Sequence, residues 1–391
     1  MQQHAVNLTV ASVNDRQHLL IAEDIRQQLS FSRAAAADYS GPLLVLSEQR
    51  LRDNARRFMQ AMPRVRPHYA VKANQDPAIL ELLRQEGTGF EIASSAELDT
   101  LLELGVPAHQ VFYSNPIKSP AAIKYASAKG VRWYAADCTE ELEKIAALAP
   151  LAKVYIRIKV SNEGSSWPLA GKFGASPKGV LAMIACALRL QVNLCGVTFH
   201  VGSQCTNINN WVEGIKTAKD IFEQLVDRGF IPQLLNLGGG YPLQLTPQDP
   251  SIEDIALRIN CELETLPDTI QVMAEPGRYL VGSAGCLVSQ VMGVATRDDS
   301  RWLYLDLGFY GGLIELEQGI AFTLVSQRTG APELWSVAGP TCDAIDVLGQ
   351  HYLPANMKPE DLVFIPSTGA YSLCCASDFN GFAIPRLVMV A

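Results

Sequence analysis

The chain has 391 residues, of which 48% are hydrophobic and 18% charged, and its net charge is −8. This balance describes a folded chain of roughly two domains rather than a disordered one, and the acidic excess, with no basic stripe, argues against nucleic acid or another polyanion as partner. The nine cysteines lack paired metal-ligand spacing, Met1–Leu20 has no apolar leader, and no run approaches about 18 uninterrupted apolar residues, so the expectation is a cytoplasmic protein with reduced thiols, no membrane segment and no metal.

Residues 1–40 are polar and mixed, an irregular start holding one helix. Pro42–Ser47 is strand-like and Glu48–Met62 has helical periodicity. A rhythm then begins. Apolar runs at His68–Lys72, Gly89–Ala93, Val111–Ser114, Arg132–Ala136, Lys153–Ile158, Gly196–His200, Leu234–Leu237 and Gln271–Ala274 alternate with amphipathic stretches such as Pro77–Glu86, Ala121–Lys129 and Asn210–Arg228. Strict β–α alternation implies parallel strands with helical crossovers, and eight such units close a (β/α)8 barrel. A doubly wound open sheet is the alternative, but its glycine-rich turn follows the first strand, whereas here it follows the seventh. Beyond about residue 282 the helices stop. Ala284–Val294, Trp302–Leu307, Leu334–Ala338, Asp361–Pro366 and Arg386–Val390 read as an antiparallel β domain. The expected boundaries are 1–46 for an N-terminal segment partly joining that domain, 47–282 for the barrel and 283–391 for the β domain.

Active sites of such barrels lie at the carboxyl ends of the strands. In order these ends are Lys72, Glu91, Asn115, Asp137, Arg157, His200, Gly238-Gly239-Gly240 and Glu275, the last followed by Pro276-Gly277-Arg278. Lys72 alone reads as a strand-end lysine reaching solvent, and the glycines alone as a tight turn. Together they describe a polar mouth with one lysine in it. A lysine in such a setting is a nucleophile for carbonyls, and successive glycines expose backbone amides that cradle an anion, with Ser203 and Arg278 on the same rim. Lysine plus phosphate cradle points to pyridoxal phosphate, with Glu275 as partner of its ring nitrogen and His200 against its face.

With these residues in hand, the chain resembles the fold type III pyridoxal-phosphate decarboxylases, which act on ornithine, lysine, diaminopimelate and arginine. The resemblance is carried by Tyr69–Asn74, Phe90–Ser94 with Glu97, Asn115-Pro116, Phe199–Ser203, Gly238–Pro242, Glu275–Arg278, Gly339–Asp343, Gly369–Tyr371 and Phe379–Phe382, spanning about residues 42–385. It implies that Lys72 bonds covalently to the cofactor and that Glu91, Arg157, His200, Ser203, Gly239, Gly240, Glu275, Gly277, Arg278 and Tyr371 complete its site. It also implies that Cys342 returns a proton to the α-carbon, that Asp343 meets the distal amine of a substrate, and that both reach the cofactor of a neighbouring subunit in a homodimer. The segment after Asp306-Leu-Gly308 lacks the arginine of diaminopimelate enzymes and resembles the bacterial ornithine/lysine branch, with Tyr310 and Glu317 as further substrate contacts. That branch has an aspartate where this chain reads Glu315-Leu-Glu317, and Gln204 stands where related enzymes tend to have glycine. The expected activity is therefore decarboxylation of ornithine or lysine to a diamine. A conjugated diamino acid of siderophore or antibiotic biosynthesis, or diaminopimelate, is the alternative. A racemase on the same barrel is disfavoured, because racemase relatives place arginine at the ring nitrogen. A non-catalytic cofactor carrier would lack the β domain.

Overall fold

The computed structural model describes residues 16–169 and 171–391. Contacts divide the chain into two compact units: one holds the residues up to Leu51, Gln244–Gln248 and Val281–Ala391, the other Arg52–Leu243 and Asp249–Leu280.

The described residues of the first unit open with helix α1 (Arg16–Ala35), the one helix expected in this segment, and strand β1 (Leu43–Ser47). The second unit is the barrel. Its strands are β2 (Val65–Ala70), β3 (Gly89–Ile92), β4 (Val111–Tyr113), β5 (Trp133–Ala136), β6 (Lys153–Arg157), then β8 (Asn193–Thr198), β10 (Leu234–Asn236) and β11 (Gln271–Ala274), all parallel and closed, with β11 pairing back onto β2. Two short strands, β7 (Ser165–Trp167) and β9 (Ser203–Cys205), form a separate antiparallel ribbon. Several crossover helices begin on sequence-coded signals. Pro77, Pro120 and Pro177 open helices capped by Asp76, Ser119 and Ser176, while Ser251 and Asp254 form a reciprocal capping box.

Large side chains fill the barrel interior. Phe112, Ala135, Tyr155, Leu234 and Met273 form one buried cluster; Phe112 stacks on Trp133 at 5.1 Å between centroids and meets the His68 ring edge-on at 4.7 Å. Burial pushes His68 down to about 3, so its ring is neutral.

After the barrel, the chain builds β12 (Gly285–Arg297), β13 (Ser300–Leu305), β14 (Val325–Ser326), β15 (Pro332–Ala338), β16 (Val347–Pro354), β17 (Leu362–Pro366) and β18 (Arg386–Val390). The order is β14-β17-β12-β13-β15-β16, and β1 sits between β12 and β18. The sheet is largely antiparallel as expected, but β13–β15 and β1–β18 are parallel pairs. Helix α1 covers β1, its Leu29 packing with Leu43, Val45, Val288 and Phe364. The other face of the sheet buries Leu303, Leu305, Trp335, Val337 and Val363.

Candidate active site

Strand β2 ends two residues before Lys72, and a 3-10 turn, Val71–Ala73, carries the lysine. This corrects the expectation of a strand-end lysine: both turn neighbours, Val71 and Ala73, are buried, so the turn points Lys72 out of the apolar packing. Its ammonium pairs with the Glu91 carboxylate, inside β3, whose side chain is 1% exposed. Burial raises the affinity of Glu91 for a proton; the Lys72 charge opposes this, and the nearby Glu275 charge adds to it.

Glu275, immediately after β11, is buried. Its Oε1 accepts from Ser114 Oγ at 2.5 Å and from Asn236 Nδ2 at 2.6 Å. Ser114 follows β4 and lies 2.8 Å from Tyr155 Oη, in β6. Asn236 closes β10, and its Oδ1 accepts the Gly238 amide at 2.9 Å, which orients the side-chain amide.

His200 follows β8. Its Nδ1 accepts the Gly202 amide at 3.0 Å, so the neutral ring carries its proton on Nε2. Burial, with the Arg157 and Lys72 charges second, holds it well below the usual imidazole range. The ring lies against the glycine turn: a Cβ on Gly239 would meet His200 Nε2 at 3.0 Å. In the same turn Gly240 has φ +99°, and a Cβ there would come within 2.3 Å of the Gly202 carbonyl oxygen. Only glycine fits this approach. Ser203 opens β9, and its Oγ accepts from Arg278 Nη2 at 3.1 Å and Nε at 3.3 Å; Arg278 is buried and directly follows Gly277. Arg157 lies at the end of β6 with its guanidinium 5.2 Å from the Phe173 ring centroid. Lys72, Glu91, Glu275, Ser203, Arg278 and the glycine turn thus line the mouth of one barrel. Asn115 and Asp137 do not belong to this set, since their side chains hold the Ala93 carbonyl and the Gly174 amide. Gln204 is also structural. It has φ +52° and bonds the Leu243 backbone through both amide atoms, at 2.7 and 2.9 Å. A left-handed backbone accounts for glycine at this position elsewhere without any reference to substrate.

A second group lies in the sheet unit. Asp346 accepts from the Phe309 amide (2.7 Å), the Thr341 amide (3.0 Å) and the Thr341 hydroxyl (2.6 Å), clamping the Gly308 turn to the Gly339–Cys342 turn. The Tyr310 hydroxyl donates to Asp343 Oδ2 at 2.7 Å, which holds that carboxylate below its usual range, and the Cys342 amide donates to Asn380 Oδ1 at 3.1 Å. The Tyr310 and Phe379 rings lie 4.4 Å apart. Cys342, Asp343 and Phe379 are exposed. Glu315 is buried in the 3-10 helix Ile314–Gln318 and Glu317 is exposed on it, so Glu317 is the outward-facing one of the two. Tyr371 has φ +55° and is half-buried.

Sequence reasoning missed Ser114, Tyr155, Asn236 and Asp346. The first three sit at or within strands where they read as caps or core. The donor set fits pyridoxal phosphate: an amine for its aldehyde, a glycine turn with arginine and serine for its phosphate, and a fixed carboxylate for its ring nitrogen.

Comparison with known proteins agrees. Residues 48–282 match the family model of the pyridoxal-dependent decarboxylase, pyridoxal binding domain. The ornithine decarboxylase of Mus musculus is 34% identical over 358 residues, covering 85% of this chain and 77% of that one, and the lysine/ornithine decarboxylase of Selenomonas ruminantium is 34% identical over 354 residues, covering 89% of each. Among solved structures, the lysine/ornithine decarboxylase of Vibrio vulnificus complexed with cadaverine superposes with a TM-score of 0.87 at 34% identity, over 93% of this chain and 98% of that one. The arginine decarboxylase of Paramecium bursaria Chlorella virus bound to agmatine gives 0.86 at 28% identity, over 92% and 100%. The chain belongs to the pyridoxal-dependent decarboxylases.

Proposed function

We propose that this enzyme removes the α-carboxylate of a free basic L-amino acid, ornithine or lysine, to give a diamine and carbon dioxide. The observation that carries the reading is the convergence, in one barrel mouth, of the Lys72–Glu91 pair, the anchored Glu275 and the Gly238–Gly240 turn beside Arg278. Pyridoxal phosphate, when bound, supplies an electron-accepting ring that takes up the electron pair freed as carbon dioxide leaves. Lys72 would hold the cofactor covalently, and Glu91 would stabilise the lysine as an ammonium until its proton is removed. Gly239, Gly240, Gly277, Ser203 and Arg278 would bind the phosphate, with Tyr371 assigned to the same group by resemblance. His200, neutral and wedged against Gly239, would support the ring face, and Arg157 would remain a nearby cation. Glu275 would hold a proton on the ring nitrogen.

The same reading makes the enzyme a homodimer in which Cys342 delivers a proton to the α-carbon and Asp343, hydrogen-bonded to Tyr310, binds the distal ammonium of a substrate held by a second copy. The exposure of Cys342, Asp343 and Phe379 on a single chain supports this. Glu317, exposed like Asp343, is assigned to the substrate by resemblance, with Tyr310.

Carbon dioxide release measured across ornithine, lysine, arginine, meso-diaminopimelate and a conjugated diamino acid tests the proposal. Turnover of ornithine or lysine, lost in Asp343→Ala and reduced in Cys342→Ala mainly through kcat, is expected. Turnover of the conjugate alone would overturn the substrate assignment, and silence on every compound would overturn the activity.

A further inference from the structure

We propose that Ser114, Tyr155 and Asn236 form a donor relay that determines where the proton shared by Glu275 and the cofactor's ring nitrogen resides. The inference rests on the decarboxylase reading above. Among the described residues, the side-chain hydrogen bonds to Glu275 fall on Oε1: Ser114 Oγ at 2.5 Å and Asn236 Nδ2 at 2.6 Å. Oε2 is left for the ring nitrogen.

The direction of each bond follows from chemistry. An ionised carboxylate only accepts, so Ser114 spends its single proton on Glu275 and must accept from Tyr155 at 2.8 Å. Tyr155 keeps its proton, because burial and then the Glu275 charge raise it well above the ordinary phenol range. Asn236 presents its amide nitrogen to Glu275 because its oxygen is held by the Gly238 amide at 2.9 Å. Tyr155, Ser114 and Asn236 come from three different strands or strand ends of one barrel, and Ser114, Tyr155 and Asn236 are all buried. Their packing and hydrogen bonds fix the carboxylate.

Such an arrangement has work to do at this place. Glu275 is buried, and the carboxylate of Glu91 lies near it. The Arg157 cation is a third charge close by. Two donors on Oε1 stabilise the ionised form and leave the proton on nitrogen, where it makes the ring the stronger electron acceptor. Ser114, Tyr155 and Asn236 are therefore positioning residues, which act through Glu275.

The test uses holoenzyme prepared with pyridoxal phosphate labelled with 15N in the ring. Wild-type protein is expected to show the 15N shift of a protonated ring. Ser114→Ala should move it toward that of neutral pyridine and lower kcat by about tenfold or more, the effect of losing one hydrogen bond to a charged group, with KM changed by less than about twofold. Tyr155→Phe, which leaves Ser114 its own proton, should produce a smaller change in the same direction, and Ser114→Thr should restore both readouts. A ring shift unmoved in Ser114→Ala and Tyr155→Phe, whatever happens to their melting temperature, would show that the three residues only pack the barrel and would overturn the relay. A wild-type protein that binds no cofactor would overturn the decarboxylase reading itself, and the relay with it, so the two failures are distinct.

Discussion

Lys118 and Glu141 are both fully buried at the side chain and lie 3.0 Å apart, with Lys144 on the other oxygen of Glu141 at 2.5 Å. Lys118 also donates to the carbonyls of Asn115 at 2.8 Å and Ala135 at 2.6 Å, so this pair anchors the loop that leaves Ser114. Burial lowers Lys118 to about 8, a sign that desolvation outweighs what its partners return. At an effective dielectric of about 20, two charges 3.0 Å apart attract by roughly 5 kcal/mol, most of which offsets desolvation. Glu141→Gln removes the countercharge and leaves a buried ammonium, at a cost of about 3–5 kcal/mol. For a unit the size of the barrel this is a fall of roughly 10 °C in the barrel's calorimetric transition. Replacing the pair together, Lys118→Met with Glu141→Leu, removes both charges and should stay within about 2 kcal/mol of wild type. The discriminating result is the order of the variants. If the double variant is the less stable, the pair is a net stabiliser and the desolvation argument fails. A single variant that melts within a degree of wild type would also refute it.

Acid stability should report on His68. Its ring ionises at about 3 when folded, against about 6.5 when free. The unfolded chain thus binds a proton that the folded one does not, so the stabilisation is complete above about pH 6.5 and is lost as pH falls toward 3, by up to about 4–5 kcal/mol. His68→Leu should flatten the profile between those limits relative to wild type; parallel profiles would count against it. Gly240→Ala places a Cβ 2.3 Å from the Gly202 oxygen at φ +99°, so it should cost about 2–3 kcal/mol of stability and abolish tight cofactor binding, read by titration of cofactor absorbance. Lys72→Ala should lose the long-wavelength absorbance of the bound cofactor while retaining the fold, and a band that survives would reassign the covalent attachment.

The barrel was legible because parallel strands buried on both faces are short apolar runs, and their polar ends marked the mouth. Lys72, Glu275 and the glycine triplet could be found that way. Tyr155 could not, because Lys153-Val-Tyr-Ile-Arg157 reads as a core strand with an aromatic in it, and nothing local shows that its hydroxyl reaches a serine 41 residues earlier. Ser114 and Asn236 were hidden among ordinary strand ends for the same reason. In the sheet, β16 escaped notice because Gly349-Gln-His351 interrupts the alternation, although Trp335 pairs with His351 across the ladder. The choice between Glu315 and Glu317 depends on which side of a 3-10 helix faces inward, and spacing alone does not set that.

Strand β1 lies between β12 and β18, and the paired positions Leu46–Gly285 and Ser47–Val390 are 239 and 343 residues apart along the chain. The sheet unit is thus written in the gene as an interrupted sentence, with the whole barrel as its parenthesis. During synthesis the barrel can close while β1 and α1 still wait for partners, and β1 gains its parallel neighbour only after β18 has left the ribosome. Until β12 is made, the apolar strand Leu43-Leu-Val-Leu46 has two unpaired edges and only α1 for cover, and one edge stays open until β18 follows. The first strand is thus made before the whole barrel and is among the last elements to be completed.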